Sequence, residues 1–322
     1  VTESVSPRLF DRDATIYIAG HSGLVGSSIW RNLSAEGCDH LIGKTSAELD
    51  LTDRDSVFDY FAESKPNVVV LAAAKVGGIM ANDTYPVEFL TENLQIQVNV
   101  MDAALKHDVD RLLFLGSSCI YPKHAPQPLR EEYLLTGPLE PTNSAYAIAK
   151  IAGILHVQSV RREYGKAWIS AMPTNLFGPG DSFSPTGSHV LPALIRRYDE
   201  AAQSGAASVV NWGSGRPRRE FLHVDDMADA CLHLLKYYDG PEQVNVGSGK
   251  DMTIRELADT VAQVVGFEGE TTWDTSKPDG MDQKLMDVSK LAELGWKAQI
   301  SLSDGLASTV DWYRANRDSL RS

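Results

Sequence analysis

Apolar and polar positions along the chain fall into two textures that meet near Gly178. In the first half, short unbroken apolar runs alternate with stretches whose apolar residues recur at helical intervals. The runs cover residues 14–20 (ATIYIAG), 68–74 (VVVLAAA), 111–118 (RLLFLGSS) and 167–178 (AWISAMPTNLFG). Runs of this kind read as strands buried on both faces. Helical spacing appears in HSGLVGSSIWRNLSAEG, in residues 87–106 and from about residue 144 to 164. The alternation predicts an α/β fold, a Rossmann-type doubly wound parallel sheet covered on both faces.

Beyond Gly178 the rhythm changes. A Gly/Pro/Ser-rich loop (PGDSFSPTGSH) precedes PALIRRYDEAAQSG, a helix closed by glycine, and SVVNWGSG and QVNVGSG read as short strands meeting turns. TIRELADTVAQVVG predicts a helix whose Thr253 and Glu256 have the spacing of a capping box. We expect residues 1–180 to form a nucleotide-binding domain. Residues 181–322 are expected to form mainly a smaller mixed α/β substrate lobe, with the chain free to cross back between the two. The cleft between them is the default site. Residues 1–10 (VTESVSPRLF) read as a frayed tail rather than a signal peptide.

Composition narrows the picture. No apolar run approaches the ~18 residues needed to span a bilayer, so no membrane partner is expected. The net charge of -13 opposes nonspecific nucleic-acid binding. Cys38, Cys119 and Cys231 lie far apart without paired spacing. That fits a reducing, cytoplasmic setting and argues against a disulfide framework or a metal site.

The chemistry starts at Gly20, Gly23 and Gly26, a GxxGxxG turn between a strand and a helix. Glycines there allow the tight turn, close approach of a pyrophosphate, and helix–strand packing. Further on, Asp50 and Leu51 are placed to flank an adenine, and Lys44 with two neighbouring hydroxyls stands where a 2′-phosphate would lie. Lysine there favours NADP over NAD only mildly, since a solvated lysine is equally ordinary. Tyr146 and Lys150 in NSAYAIAK fall on one helix face. A phenol so placed can donate a proton to a carbonyl oxygen as hydride arrives, and a nearby ammonium is expected to lower its pKa. Ser117, at the end of the preceding strand, can bond the same oxygen.

Together AGHSGLVGS, LAAAKVGGI, LLFLGSSCIYP, EPTNSAYAIAKIAG, MPTNLFGP, SHVLPALIRR, WGSGRPRREFLHVDD and SKPDG resemble the GDP-L-fucose synthases. These are NADPH-dependent epimerase-reductases of the extended short-chain dehydrogenase/reductase class. The resemblance runs from Ala14 to about Tyr313. It implies conversion of GDP-4-keto-6-deoxy-D-mannose to GDP-L-fucose, with Ser117, Tyr146 and Lys150 catalytic and Cys119 and His189 as the epimerisation pair. Cofactor contacts implied in the same way are Leu24, Val25, Ala72, Ala73, Ala74, Pro173, Asn175, Leu176 and His189, beside the glycine turn, Tyr146 and Lys150. Substrate contacts implied are Ser117, Ser118, Cys119, Asn175, Val190, Leu194, Arg197, Trp212, Arg219 and Lys284.

The C4 ketone of such a sugar acidifies the protons on C3 and C5. Inverting both centres takes a base on one face and an acid on the other. A free thiol needs only a modest pKa depression to serve as base, and an imidazolium is a natural acid near neutrality. Some members carry arginines facing the 2′-phosphate where this chain has Ser22 and Ser46. That leaves Lys44, Lys75 or backbone amides to compensate. Arg216, Arg218 and Arg219 sit together, with Arg219 the preferred phosphate or ribose contact, and Asp282 lies close to Lys284. His223 is expected to brace a loop. Another nucleotide-sugar epimerase, reductase or 4,6-dehydratase is the nearest alternative. A 4,6-dehydratase would place carboxylates after its serine, and a simple 4-epimerase needs no base at C3 or C5. A non-catalytic nucleotide-binding protein would be expected to lose Tyr146 or Lys150. Small and apolar residues in AIAKIAGILHV suit a homodimer built on the Tyr/Lys helix.

Overall fold

The computed structural model describes residues 13–184, 187–277 and 279–320. The tail expected at residues 1–10, residues 185–186 of the Gly/Pro/Ser-rich loop and Pro278 lie outside these. From the start, β1 (Ile16–Ala19) leads into α1 (Leu24–Ala35), followed by β2 (Leu41–Ile42), α2 (Arg54–Ser64) and β3 (Val68–Leu71). Two helices, α3 (Ile79–Thr84) and α4 (Pro86–Lys106), precede β4 (Arg111–Leu115), and α5 (Ser144–Tyr164) and β5 (Ile169–Pro173) follow. The chain continues through β6 (Asn175–Phe177), α6 (Val190–Ser204), β7 (Ser208–Trp212), β8 (Arg218–His223), α7 (Val224–Tyr237) and β9 (Val244–Val246). It ends with β10 (Asp251–Thr253), α8 (Ile254–Val265), β11 (Glu270–Asp274), β12 (Gln283–Lys284), α9 (Ser289–Glu293) and α10 (Leu302–Asn316).

Strands β1, β3 and β4 are buried along their whole length, as both faces of a helix-covered parallel sheet require. They lie in a six-stranded all-parallel sheet of order β2-β1-β3-β4-β5-β9. The order reverses between β1 and β3, which opens a crevice at the carboxyl ends of those strands. One apolar cluster packs α1 and α7 on the sheet through Ile29, Leu33, Met227 and Leu234. Another packs α2, α4 and α5 on the other face through Phe61, Met101 and Ile154. A third joins α6, α8 and α10 through Leu194, Ile195, Leu257, Val261 and Leu306.

The run at 167–178, expected as one strand, is two. It breaks at Thr174, whose N–H donates to the Val246 carbonyl at 3.0 Å. Beyond it, β6 leaves the large sheet and pairs in parallel with β8 in a second sheet of β10, β8 and β12. Strand β9 lies beside β5 at the edge of the large sheet. Helix α7 packs on α1, where Asp225 accepts from Ser28 Oγ at 2.5 Å and from Arg31 at 2.8 Å. Buried Arg111 donates to the carbonyls of Ala167, Leu234, Leu235 and Tyr238, tying β4 to the end of α7. The capping box of Thr253 and Glu256 is present. Helix α6 starts at Val190, ahead of the expected proline, because Pro192 is tolerated in a first turn. No helix among the described residues is long and apolar enough to cross a membrane.

Candidate active site

The glycine turn sits at the sheet's reversal point. Gly20 has φ +84, and a Cβ there would lie 2.7 Å from the Ala73 nitrogen, so the loops after β1 and β3 touch. A Cβ on Gly26 would collide with the Gly20 carbonyl, which keeps α1 close to the strand end. Helix α1 begins after Gly23 with Leu24 and Val25, carries no side-chain cap and has no acidic residue in its first turn. Its leading N–H groups are therefore open to an anion. Ala72 continues from β3 with its N–H on the Ala19 carbonyl at 3.0 Å, and Ala73 and Ala74 follow. As the chain leaves the sheet, buried Asn93 of α4 takes over as partner, bonding the Lys75 N–H at 3.0 Å and carbonyl at 3.1 Å.

The surroundings of the expected 2′-phosphate site are more acidic than the sequence suggested. Glu48 accepts from Thr45 N–H and Oγ1, both at 2.8 Å, and lies 3.9 Å from Lys44. Those two bonds, helped by Lys44, hold its carboxyl below the usual range. Lys75 is engaged by Glu88 at 2.5 Å and Glu92 at 2.7 Å, while Ser22 and Ser46 are exposed. Asp50 accepts from Thr52 N–H at 2.8 Å, and Asn99 of α4 donates to the Leu51 carbonyl at 3.0 Å.

Ser117 opens a single 3-10 turn after β4, its Oγ accepting from the Cys119 N–H at 3.4 Å. Tyr146 and Lys150 stand one turn apart on α5. The Lys150 ammonium is buried, donates to the Leu115 carbonyl at 2.8 Å and lies 5.7 Å from the Tyr146 ring. Burial pushes it down to about 8, against the pull of Cys119. The Tyr146 phenol is raised, first by burial and then by Cys119, with the Ser117 hydroxyl opposing. Burial thus raises the phenol where a lysine-lowered one was expected, and the Lys150 ammonium is directed to the Leu115 carbonyl. Cys119 is buried, and burial raises its thiol despite Lys284, Ser117 and Lys150. The expected thiol depression is likewise absent, since local desolvation outweighs the nearby cations.

His189 is the N-cap residue of α6 but makes no side-chain cap bond. The enclosing cleft, and then the Lys284 cation, hold its imidazole below the ordinary value. Lys284 acts on both Cys119 and His189, and burial pushes its own ammonium down, against the pull of Cys119. It lies on β12, in register with Arg219 of β8. A small cavity is lined by Ser118, Cys119, Tyr121, Asn143, Met281 and Lys284. Tyr121 Oη donates to buried Asn245 Oδ1 at 2.6 Å, and Asn245 Nδ2 donates to the Leu129 carbonyl at 2.9 Å, so β9 braces the cysteine loop.

The other residues expected as contacts lie on β5, β6 and the elements after them. Val190 is exposed, whereas Leu194, one turn on, is buried in the third core cluster. Arg197 is held by Asn211 Oδ1 at 2.6 Å. Trp212 is exposed with the Lys277 ammonium 5.5 Å from its ring. The three clustered arginines diverge: Arg216 bonds Ser214 Oγ at 3.1 Å, Arg218 pairs with Asp251 at 2.8 Å, and Arg219 donates to the Met281 carbonyl at 2.6 Å. Pro173 ends β5, Asn175 donates to the Glu220 carbonyl at 2.8 Å, and Leu176 packs on the first core cluster. His223 caps α7, its Nδ1 accepting from the Asp225 N–H at 3.2 Å.

Three residues were missed by sequence reasoning. Glu220 is fully buried and accepts from Gly249 N–H at 2.6 Å and Met286 N–H at 2.9 Å. Its signal was a charge inside a strand pattern. Asp279 accepts from Ser214 N–H at 2.8 Å and Oγ at 2.6 Å, tying the Trp212 loop to the segment leading to Lys284. Asn143 precedes Tyr146 by one helical turn on the cavity wall.

Residues 16–247 match the NAD dependent epimerase/dehydratase family. The chain is 60% identical over 306 residues to GDP-L-fucose synthase 1 of Arabidopsis thaliana, covering 95% of each protein. To GDP-L-fucose synthase of Escherichia coli K12 it is 53% identical over 315 residues, covering 95% of this chain and 98% of that one. Among solved structures, a GDP-L-fucose synthetase from Naegleria fowleri bound to NADP superposes with a TM-score of 0.92 at 29% identity, covering 99% of this chain and 98% of that one.

Proposed function

The chain belongs to the NAD dependent epimerase/dehydratase family, and on that premise we propose that it converts GDP-4-keto-6-deoxy-D-mannose to GDP-L-fucose. The reaction is a 3,5-epimerisation followed by NADPH-dependent reduction of the C4 ketone. The observation that carries this reading is Cys119, buried beside Ser117, Tyr146 and Lys150 and sharing a cavity with Lys284. A thiol at that place is superfluous for reduction alone.

The uncapped start of α1, the bare glycine turn and the neighbouring Ala72 suit a dinucleotide pyrophosphate. NADPH held there supplies the hydride for C4. Ser117 and Tyr146 hold the ketone oxygen and stabilise the charge it gains on enolisation. Cys119 takes the proton from the adjacent carbon, and His189 returns one from the opposite face. At rest the thiol is held up and the imidazole down. The working pair is a thiolate and an imidazolium, the sulfur having lost a proton and the ring having gained one, both sites exchanging with solvent between turnovers. Lys284 and Lys150 stabilise the thiolate, and Tyr146 protonates the oxygen as C4 is reduced.

Nucleotide binding is assigned to residues 1–180 and sugar binding mainly to 181–322. Val98 of α4 and Ile148 and Leu155 of α5 leave apolar side chains in solvent; they support a homodimer through these helices. Three buried free cysteines support a cytoplasmic setting. The test is incubation with GDP-4-keto-6-deoxy-D-mannose and matched NADPH or NADH, with the product identified by NMR. GDP-L-fucose is expected. A 6-deoxy sugar reduced without inversion would remove the Cys119/His189 roles, and no turnover would overturn the reaction.

A further inference from the structure

Asn143 occupies the N-cap position of α5 but does not cap it, its side chain making no hydrogen bond to the first turn. Asparagine is favoured at such positions because its oxygen normally accepts from the N2 or N3 amide. Here Oδ1 is shielded from solvent and has no partner among the described residues. A polar atom left this way costs free energy until a partner arrives. The same residue lines the cavity shared by Ser118, Cys119 and Lys284. Tyr146 stands three positions further along the same helix, one turn away on the same face.

On the functional reading above, we propose that the Asn143 carboxamide binds the 3-hydroxyl of the substrate sugar and so determines which keto-sugars the site accepts. The C4 oxygen is held at Tyr146 and Ser117, and the carbons beside it are C3 and C5. C5 carries the ring oxygen and a methyl group, neither of them a donor. C3 alone carries a hydroxyl, one carbon from the ketone as Asn143 is one turn from the phenol. A carboxamide has both donor and acceptor and can hold that hydroxyl whichever way it turns. A site built to bond a hydroxyl discriminates against the analogue lacking it, because the amide is then left unpaired.

The test compares kcat/KM for GDP-4-keto-6-deoxy-D-mannose with that for its 3-deoxy analogue, at saturating NADPH. Wild-type protein is expected to prefer the hydroxylated sugar, and Asn143→Ala to cut that preference about tenfold or more. Asn143→Ser is the second variant, since serine caps helices well and keeps α5 formed. It should hold its melting temperature while showing the same fall in preference. An unchanged ratio in both variants overturns the assignment of the 3-hydroxyl. Absence of wild-type turnover on the hydroxylated sugar overturns the functional reading and this assignment together.

Discussion

Lys150 has exchanged its hydration for one carbonyl, that of Leu115, and an ammonium in that state gives up its proton early. With its pKa near 8, kcat/KM for NADPH oxidation is expected to fall on an alkaline limb beginning near that pH. Lys150→Arg keeps the charge at higher pH, so the limb should move upward even though the rate drops. A limb unmoved in this variant would assign it to another group. Tyr146→Phe removes the proposed proton donor but leaves Cys119 and His189 in place. We expect NADPH oxidation to drop about 10²–10⁴-fold, while NMR still detects deuterium entering C3 and C5 from heavy water. Loss of both signals together would mean that Ser117 alone cannot support enolisation. Asp181 is a separate case. Its Oδ2 is buried without a partner among the described residues, and burial raises the carboxyl to about 7. The folded protein thus binds this proton more tightly than the unfolded chain, whose carboxyl titrates near ~3.9. Stability present below that pH is lost as pH rises through about 7. Asp181→Asn should therefore gain little in thermal melting at pH 4.5 and progressively more towards pH 8. A gain constant with pH would mean that the carboxyl does not titrate as described.

At the scale of elements, the close contact of α4, α5 and β4 depends on one small residue. A Cβ on Gly153 would collide with the Phe114 ring and lie 2.9 Å from Gln97 Oε1, and Gln97 itself donates to the Ala149 carbonyl at 2.6 Å. Gly153→Ala is expected to cost about 1–3 kcal/mol by overpacking, read by urea denaturation; an unchanged midpoint would show that Phe114 and Gln97 can withdraw freely. The elements that were legible in the sequence are those with local causes. The first βα turn announced itself because glycine alone tolerates the backbone approach at Gly20 and Gly26. Tyr146 and Lys150 followed from helical periodicity, and the capping box from its spacing. The break at Thr174 was not read, although Pro173 and Asn175 flank it, because distant partners, Val246 and Glu220, decide where the chain turns. Helix α7 was not read, although Asp225, Asp229, His233 and Lys236 recur at helical spacing between its buried residues. Cys119 and His189 were legible only through family resemblance. The directions of their titration depend on burial, which no local pattern reports.

For the whole molecule, the shared strands and helices predict one unfolding event rather than two. Strand β5 runs into β6 with only Thr174 between the sheets, and β9 returns to pair with β5. Calorimetry should give a single transition, and NADPH should raise its midpoint without splitting it. Two separated transitions would show that the sheets melt independently. The path of β9 and α7 also bears on how such enzymes diversify. A recombination point at residue 180 would separate the glycine turn's sheet from the strand that closes its edge and from the helix that covers α1. A new sugar specificity grafted there would arrive with a sheet missing its last strand. Variation in the sugar site is therefore expected to come as loop and side-chain changes within an undivided chain, not as an exchange of lobes.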